Sequence, residues 1–419
     1  MNISGYISRR LRLRGASRSG SAAGAVIAVT GVALALMIME FTLAIVVGFK
    51  NEIRDKLVGF DAQITIGNAF DPYSGLQEPY LTLTPELASC VRKALPDSRV
   101  QLSLRQPGIL KTDSDFEGIM FVAQQPAGSG DFTFERSNIV EGFWPDFSTD
   151  SLKNAIVISR ATAKALGLNP GDKVYSHFIV GEDVKMRRNT VAGIYESDFG
   201  TYDRTIAYCG LPALQKVAGL DSMDGNRIDI RGISHDSIAS AAAYLQDILL
   251  REASTGTLDR YYPVNNILDT GTVYFSWLDL LDTNVAVIFA LMLCVAGFTL
   301  VSSLFILILS RVQTIGILRS MGATKKLVRH IFINMAMRLV GLGMIIGNVA
   351  AIGLLLIQEH THIIPLDPEM YYLKWVPVEI VAWQFVLLNV GVALACWLIM
   401  VLPSHLASRI SPVEAIKYE

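Results

Sequence analysis

Four long runs of apolar residues interrupt an otherwise mixed pattern of polar and apolar positions along this 419-residue chain. A helix needs about 20 apolar residues to cross the hydrocarbon core of a bilayer. The pattern therefore predicts four transmembrane helices, at residues 21–49, 283–310, 339–358 and 381–402. The first run is too long for the apolar part of a cleaved signal peptide, and no small-residue cleavage pattern follows it, so we expect an uncleaved anchor.

The positions of Lys and Arg predict how these helices are oriented, because short cytoplasmic loops are enriched in both residues. Five arginines precede the first run, and six basic residues lie in the segment 311–338 between the second and third runs. The loop at 359–380 carries four acidic residues against the single Lys374. We therefore expect both termini in the cytoplasm and residues 50–282 on the opposite side of the membrane.

The two ends of the chain are short basic segments. In residues 1–20, apolar positions recur at helical spacing between arginines, which predicts an amphipathic helix on the cytoplasmic membrane surface. A basic flank that only sets the topology explains the same pattern equally well. Residues 403–419 form a cytoplasmic tail in this scheme.

Residues 50–282 have the mixed pattern of a water-exposed α+β domain. The segment directly after the first run is helical and amphipathic, so it is expected to extend that helix as a stalk. A helix is predicted at 85–95, and short strands at 100–103, 109–111 and 119–122. Such an order is typical of a small α+β unit.

A β-rich stretch from about residue 131 to 225 is expected as an insertion in that unit. It contains a strand, a helix and a second strand, with turns predicted at Pro170-Gly171-Asp172 and at Gly181-Glu182-Asp183. The predicted fold class is therefore an α-helical membrane protein with four transmembrane helices and a large extracytoplasmic α+β domain. That domain would have two subdomains and lie between helices 1 and 2.

The composition agrees with a chain that is partly in lipid and partly in water. Hydrophobic residues make up 51% of it and charged residues 18%, and the formal net charge of −2 gives no field that would favour nucleic acid. Two of the four cysteines lie in apolar runs. Cys90 and Cys209 lie in the polar region and could pair only in an oxidising compartment.

Motifs for nucleotide, metal or nucleophilic chemistry are missing from the sequence. It has no GxxxxGK[ST] phosphate loop, no HExxH, no CxxC and no GxSxG. His360 and His362 form a lone HxH pair, and two ligands do not make a metal site. We therefore expect a non-enzymatic subunit without bound cofactor or metal, which receives energy from a separate protein.

Small residues at three- and four-residue steps predict faces on which membrane helices approach closely, within the chain or in a dimer. These positions are Gly24, Ala28, Gly31, Ala35, Gly343 and Gly347. Glu40 is an acidic residue inside the first apolar run. An intramembrane carboxylate is a candidate for function, but its place towards the outer end equally allows it to reach water.

Several segments resemble the permease subunits of the MacB/FtsX-like group of ABC transporters. These segments are GFKNEIRDKLVGFDAQITI, AGFTLVSSLFILILSRVQTIGILRSMGAT, NAIVISRATAKALGLNPGDKV and SPVEAIKYE. The first segment and SSLFILI favour the lipoprotein-releasing (Lol) branch of the group. Glu40 departs from the all-apolar pattern that we associate with this family.

The resemblance implies a periplasmic domain of two subdomains and a dimer of identical or homologous permeases in the inner membrane. It also implies two cytosolic ATPase subunits, which would hold ATP and Mg²⁺. A coupling helix would seat in a groove of the ATPase, with Ile315 and Leu318 filling it and Gly322 allowing the chain to turn. Its residues would be Ile315, Gly316, Ile317, Leu318, Arg319, Met321, Gly322 and Ala323. A basic loop that meets lipid headgroups is the alternative for this segment.

Three functions remain open at this point. The resemblance favours ATP-driven extraction of lipoproteins from the outer leaflet and their transfer to a periplasmic carrier. The runner-up is mechanotransmission of the MacB/FtsX kind, for peptide or drug export or for activation of a cell-wall hydrolase. A membrane scaffold or sensor without transport is the third.

Overall fold

The computed structural model describes residues 20–67, 80–125, 133–149, 152–180, 183–310 and 312–407. The chain divides into two compact units. Unit 1 contains Met1–Asn51, Leu278–Pro365 and Trp375–Glu419, and unit 2 contains Glu52–Trp277 and Leu366–Lys374. Apart from Gly20, the amphipathic helix predicted for residues 1–20 lies outside the described residues, and so do residues 408–419.

The helices of the described residues are numbered here in chain order. They are α1 (Gly20–Phe60), α2 (Pro85–Ala94), α3 (Thr133–Ser137), α4 (Arg160–Leu166), α5 (Gly200–Asp203), α6 (Leu211–Ala218), α7 (Ile238–Ser254), α8 (Ile267–Thr270), α9 (Thr272–Leu309), α10 (Val312–Ser320), α11 (Lys325–Thr361), α12 (Pro368–Tyr371) and α13 (Ala382–Ala407).

The strands are numbered in the same way. They are β1 (Ile64–Ile66), β2 (Leu81–Thr82), β3 (Arg99–Lys111), β4 (Phe116–Gln124), β5 (Ile139–Gly142), β6 (Ala155–Ser159), β7 (Lys173–Val180), β8 (Asp183–Tyr195), β9 (Ile206–Cys209), β10 (Asp224–Gly225), β11 (Arg227–Arg231) and β12 (Val264–Asn266).

Four helices of the described residues are long and apolar enough to span a membrane, namely α1, α9, α11 and α13. Helix α1 continues to Phe60, as predicted for the stalk. Helix α11 begins at Lys325, well before the predicted start at residue 339. Hydropathy finds only the apolar part of a helix, whereas the basic residues after Lys325 do not interrupt helical hydrogen bonding.

The core of unit 1 consists of two clusters of buried side chains. The larger is formed mainly by α1, α9, α11 and α13 and includes Leu36, Leu304, Val340 and Cys396, each at most 2% exposed. The smaller contains Ala44, Leu355 and Phe385. Apolar burial does not drive helices together in lipid, which is itself apolar, so the association of these helices depends on close packing and on hydrogen bonds between them.

Unit 2 is built on one mixed sheet of ten strands among the described residues, in the order β12-β1-β11-β3-β4-β9-β6-β8-β5, with β7 paired to β3 and β8. Strand β6 is buried at every position, which explains its apolar sequence AIVIS. Strands from the ends of the region, such as β11, pair with β3, and strands from its middle, such as β9, pair with β4. Thus β3 and β4 join both groups of strands.

Two sequence predictions for the sheet can be compared directly with it. Segments 100–103 and 109–111 are not separate strands, because β3 is continuous over 13 residues. On one edge, β3 pairs with β11 up to Ser103 and with β7 from Gly108, so Pro107 lies between these pairings, where a strand can lack an N–H donor. The turn predicted at residues 181–183 agrees with the antiparallel pairing of β7 and β8, in which Val180 lies opposite Asp183. Residues 181 and 182 themselves lie outside the described residues.

Unit 2 contains a cluster of charged side chains, of which Asp61, Arg105 and Arg227 are half-buried and Asp229 is buried. Asp61 accepts hydrogen bonds from Arg105, at 3.0 Å, and from Arg227. Asp229 is fully buried and accepts from Arg227 and, at 3.0 Å, from Gln124 Nε2. Burial alone would raise the pKa of Asp61, but Arg105 and Arg227 outweigh it and hold the pKa below its ordinary value.

Candidate coupling helix and membrane cavity

Helix α10 is a short separate helix between the membrane helices α9 and α11. It ends before Gly322, which has a positive φ of 90° that residues with a Cβ rarely adopt. Thr324 then caps α11, because its Oγ1 accepts a hydrogen bond of 3.3 Å from the Leu327 N–H. The break predicted at Gly322-Ala323 therefore lies where a glycine turn and a helix cap meet.

One face of α10 is occupied by the rest of unit 1. Ile315 is 1% exposed and belongs to the same core as Val328 and Phe332 of α11. Ile315 was expected to fill a groove in a partner, whereas in this structure its side chain packs within the chain. Leu318 is half-buried and lines a small gap on the same side.

The opposite face of α10 is apolar and open. Ile317 is 60% exposed, and Met321, just past the helix, is 80% exposed. Gly316 is buried, Arg319 is half-buried, and Ala323 packs against the core. The spacing of apolar residues in the sequence could not distinguish the buried from the exposed apolar residues of α10, because a nine-residue helix has too few turns to define an apolar face.

The small residues predicted to pack helices lie at contacts between helices of the chain. A Cβ at Gly31 would lie 2.5 Å from Thr299 Cγ2 of α9, and Gly24 lies beside Ile306. A Cβ at Gly343 or Gly347 of α11 would lie within 2.9 Å or 2.8 Å of backbone oxygens of α1. Their neighbours on α1 are buried as well: Ala28 at 1% and Ala35 at 3% exposed.

Glu40 does not reach water in this structure, since it is fully buried. Its Oε1 accepts a hydrogen bond of 2.9 Å from Asn389 Nδ2 of α13, and Asn389 in turn exchanges hydrogen bonds of 2.8 and 3.0 Å with Asn348 of α11. Its Oε2 has no hydrogen-bond partner among the described residues. Asn348 and Asn389 were missed in the sequence, although two amides within apolar runs were a visible signal.

An apolar cavity of about 490 Å³ lies between α1, α9 and α13. Its walls include Met39 of α1, Phe289 and Ala290 of α9, and Leu387 and Gly391 of α13. Its size is within the range of ligand pockets, and its lining would accept an aliphatic chain.

His360 and His362, the lone HxH pair, make separate contacts. His362 caps the end of α11 and stacks on Trp375 with ring centroids 4.4 Å apart, whereas His360 Nδ1 lies 3.0 Å from the Leu356 carbonyl oxygen.

Cys90 and Cys209 are both buried free thiols, and burial raises the pKa of Cys209 to about 12.

Comparison with known families places the chain in a class. Residues 25–248 match the family model of the MacB-like periplasmic core domain, and residues 286–412 match that of the FtsX-like permease C-terminal region. The first match alone covers more than half of the chain. This chain therefore belongs to the MacB/FtsX-like family of ABC transporter permeases, as the sequence motifs predicted.

Individual relatives are similar over nearly their whole length. A Xylella fastidiosa (strain 9a5c) protein named lipoprotein-releasing system transmembrane protein LolC is 26% identical over 410 residues, with 93% of each chain covered. A LolC of Neisseria meningitidis serogroup B is 22% identical over 424 residues, with 94% of each chain covered. Both names point to the Lol branch that the sequence favoured.

Two solved structures are similar to part of the chain. The extracellular domain of the noncanonic ABC-type transporter YknZ from Gram-positive bacteria is 16% identical, covers 48% of this chain and 99% of its own, and has a TM-score of 0.34. The periplasmic region of MacB from Actinobacillus actinomycetemcomitans is 13% identical, with 52% and 95% covered and a TM-score of 0.32. These scores are too low to relate the folds in detail.

Proposed function

We propose that this chain is the permease subunit of an ATP-driven transporter that extracts lipoproteins from the outer leaflet of the cytoplasmic membrane and passes them to a periplasmic carrier. The observation that carries the proposal is the apolar cavity between α1, α9 and α13. It is a site for an acyl chain, the group that anchors a lipoprotein. The names of the relatives support the same substrate class.

The energetics of extraction explain why such a protein needs both an apolar surface that shields the acyl chains from water and a source of energy. A buried CH₂ contributes about 0.8 kcal/mol to membrane anchoring, so three acyl chains of ordinary length cost on the order of 30 kcal/mol or more to expose to water. A continuous apolar surface lowers this cost at each step. ATP hydrolysis on a separate partner subunit, which would hold the nucleotide and Mg²⁺, supplies the remaining energy.

Helix α10 is our candidate for the contact with that ATPase. Its open apolar residues Ile317 and Met321 are suited to an apolar groove, whereas Ile315 anchors the helix to α11. A rigid anchor is what a coupling element requires, because movement of the partner then reaches the membrane helices directly. Leu318, Arg319 and the turn at Gly322 complete the proposed contact.

The arrangement in the cell is part of the proposal. Both termini and residues 311–338 would lie in the cytoplasm, and residues 50–282 would form a periplasmic domain of two subdomains, with the insertion at about 131–225. The excess of Lys and Arg in 311–338 supports this orientation. A second permease, identical or homologous, would complete a dimer with two ATPase subunits.

The hairpin of β7 and β8 is our candidate for the docking site of the carrier. Ile179 and Val184 are cross-strand partners, and Met186 lies two residues further on the same face. They are 59%, 66% and 55% exposed, an apolar patch typical of an interaction site.

Mechanotransmission is the second candidate function, favoured by the match of residues 25–248 to the MacB-like periplasmic core domain. In that case unit 2 would expel a peptide or drug through an adaptor, or would activate a cell-wall hydrolase. A gene for a lipoprotein carrier near the gene for this chain would favour extraction. Genes for an adaptor and an outer-membrane channel would favour mechanotransmission.

The test is release of a labelled lipoprotein from proteoliposomes that contain the permease complex and its ATPase, with purified carrier outside. Ala290→Phe narrows the cavity, so we expect at least about a tenfold loss of ATP-dependent release with ATPase association unchanged. The control is Val349→Phe, at a position of α11 that is 69% exposed, which should release normally.

Contrary outcomes separate the hypotheses. A wild-type complex that hydrolyses ATP but releases no lipoprotein would contradict extraction and leave mechanotransmission. Ile317→Asp should abolish co-purification of the ATPase, whereas Leu250→Asp, at a position of α7 that is 53% exposed, should not. An ATPase that never co-purifies with the wild type would favour the scaffold.

A further inference from the structure

A second cavity, of about 560 Å³, is lined entirely by residues of unit 2. Its walls come from helix α6, from strands β7 and β8, and from the segments 147–149 and 152–154 before and at the start of β6. Its floor is apolar, since Phe121, Phe178, Leu214 and Val217 are each at most 2% exposed. The volume lies within the range of about 300–1,000 Å³ that is typical of ligand pockets.

The rim of this cavity is cationic. Lys153, Arg187 and Lys216 line it, and all three are exposed. No Asp or Glu is found among the described residues of the lining. Asp146 lies beside one wall but outside the lining, and its Oδ1 accepts from the Ser148 hydroxyl over 2.6 Å and from the Ser148 N–H over 3.0 Å. The charge at the rim therefore favours an anion.

The cavity and the exposed patch on the hairpin of β7 and β8 lie on opposite faces of that hairpin. Phe178 pairs with Lys185, and successive side chains of a strand alternate between faces, so Arg187 shares the face of Lys185 and Phe178. Val184 and Met186 of the patch point the other way. The cavity is thus a different surface from the proposed docking site of the carrier.

The walls of the cavity are held in place by hydrogen bonds. Lys185 Nζ of β8 donates to the Val217 carbonyl in the last turn of α6 over 2.9 Å. On the other side, the Thr190 N–H of β8 donates to the Asn154 carbonyl over 3.0 Å. Strand β8 therefore fixes both walls, and a cavity that is formed in advance binds a ligand with little further ordering cost.

We propose that this cavity binds an organic anion that carries a phosphate or carboxylate group on an apolar body. The apolar body packs on Phe121 and Phe178, and the anionic group lies at Arg187 and Lys216. A guanidinium suits this position, because it donates two parallel hydrogen bonds to such a group. A hydrated inorganic ion leaves the apolar floor unused, and a neutral apolar molecule leaves the cations unused. The site goes beyond lipoprotein extraction, no step of which uses it.

The test is isothermal titration calorimetry of the full-length protein in phosphatidylcholine nanodiscs, with phenyl phosphate, inorganic phosphate and phenol as probes. Phenyl phosphate should bind at least about tenfold more tightly than inorganic phosphate, because its ring covers the apolar floor. It should also bind at least about tenfold more tightly than phenol, because its phosphate accepts charge-assisted hydrogen bonds. Bound phenyl phosphate should slow amide exchange in α6, residues 211–218.

Two neighbouring arginines of β8 provide a matched pair of variants. Arg187→Gln should weaken binding of phenyl phosphate about tenfold, because it removes the charge at the rim. Arg188→Gln removes the same charge from an exposed side chain on the opposite face, so binding should stay within about twofold of the wild type. Ala213→Phe fills the cavity from α6 and should abolish binding. Equal thermal unfolding of the two arginine variants shows that both are folded.

The same anionic chemistry could reach the cavity as a dissolved molecule or as a single-chain lipid. Nanodiscs that also contain lysophosphatidic acid distinguish the two sources. Slower exchange in α6 of the wild type, but not of Ala213→Phe, in these nanodiscs without phenyl phosphate identifies the lipid as a ligand. Unchanged exchange there, together with binding of phenyl phosphate, identifies a dissolved anion.

Three results would overturn the proposal. The first is binding of phenyl phosphate that is absent or no tighter than that of inorganic phosphate. The second is an equal loss of affinity in Arg187→Gln and Arg188→Gln, and the third is unchanged exchange in α6 when phenyl phosphate is bound. None of these measurements uses ATP, an ATPase or a lipoprotein, so their failure would leave the extraction proposal untouched.

Discussion

The two units of the chain bury polar side chains by opposite means. In unit 2, the carboxylate of Asp61 lies between Arg105 and Arg227, and Asp229 holds Arg227 from the other side. In unit 1, the fully buried Glu40 accepts a hydrogen bond from Asn389, and its Oε2 has no partner among the described residues. Unit 2 thus pairs charges of opposite sign, whereas in unit 1 a carboxyl group is hydrogen-bonded to a single amide, that of Asn389.

This difference shows what each environment contributes to stability. A sheet core folded from water gains from apolar burial and can include paired ions at an acceptable cost. Helices in lipid lack that driving force, so close packing at small residues such as Gly347 has to supply it. We therefore expect unit 2 to be most sensitive to loss of a charge and unit 1 to loss of close helix contact.

Removal of the central carboxylate of unit 2 should have the largest effect. Asp61→Ala leaves Arg105 and Arg227 close together without their shared partner, so we expect a loss of about 3 kcal/mol in the stability of unit 2. Hydrogen exchange of β3 and β11 amides in the full-length protein measures it. Arg251→Ala, which breaks the exposed pair with Asp247, should cost less than about 0.5 kcal/mol.

The pH dependence of the same variant checks the charge argument. Arg105 and Arg227 hold the pKa of Asp61 below its ordinary value. Its contribution to stability is therefore fully present above the pKa of Asp in an unfolded chain, about 3.9, and is lost as the pH falls through the lowered pKa. The difference in the stability of unit 2 between the wild type and Asp61→Ala should therefore become smaller in strong acid. A difference that is independent of pH would mean that packing, and not charge, accounts for the loss of stability.

A methyl group at a close helix contact should have the next largest effect. In Gly347→Ala the new Cβ would lie 2.8 Å from the Ala33 carbonyl oxygen, so α11 and α1 must separate, at a cost of about 1–3 kcal/mol. Gly353→Ala is the control in the same helix, because nothing lies within 4 Å of its Cβ. It should be neutral or stabilise by up to about 1 kcal/mol.

Thermal unfolding of the full-length protein in detergent compares these two glycine variants. The unfolding midpoint should fall for Gly347→Ala and should stay unchanged or rise for Gly353→Ala. Equal shifts would show that helix propensity, rather than the contact with α1, determines the result.

Features that depend on local pattern could be predicted from the sequence. The four apolar runs, the stalk, the turn at Gly171 and the break at Gly322 each follow from residues that are neighbours in the chain, and Gly171 and Gly322 have the expected positive φ. The family could also be predicted, because its motifs are continuous segments.

Features that depend on distant residues could not be predicted. Ile315 and Ile317 are equally apolar, and only the position of α11 makes one buried and the other exposed. The pairing of Asn348 with Asn389 joins residues 41 positions apart. Residues 359–380 were predicted only as a short loop, since Glu196 and Asp198, the partners of Lys374, lie in a different part of the chain.

Removal of the carboxyl group of unit 1 should have the smallest effect of the three. In Glu40→Leu, Asn389 Nδ2 keeps its hydrogen bonds to Asn348 Oδ1 and to the Phe385 carbonyl, each of 3.0 Å, so no donor is left without a partner. Hydrogen bonds between membrane helices contribute about 1 kcal/mol or less, and we expect a loss of that order in thermal unfolding. Glu40→Gln keeps the acceptor and should be close to neutral. If instead both variants cost as much as Asp61→Ala, the charge of Glu40 itself would be required, and the contrast between the two units would be wrong.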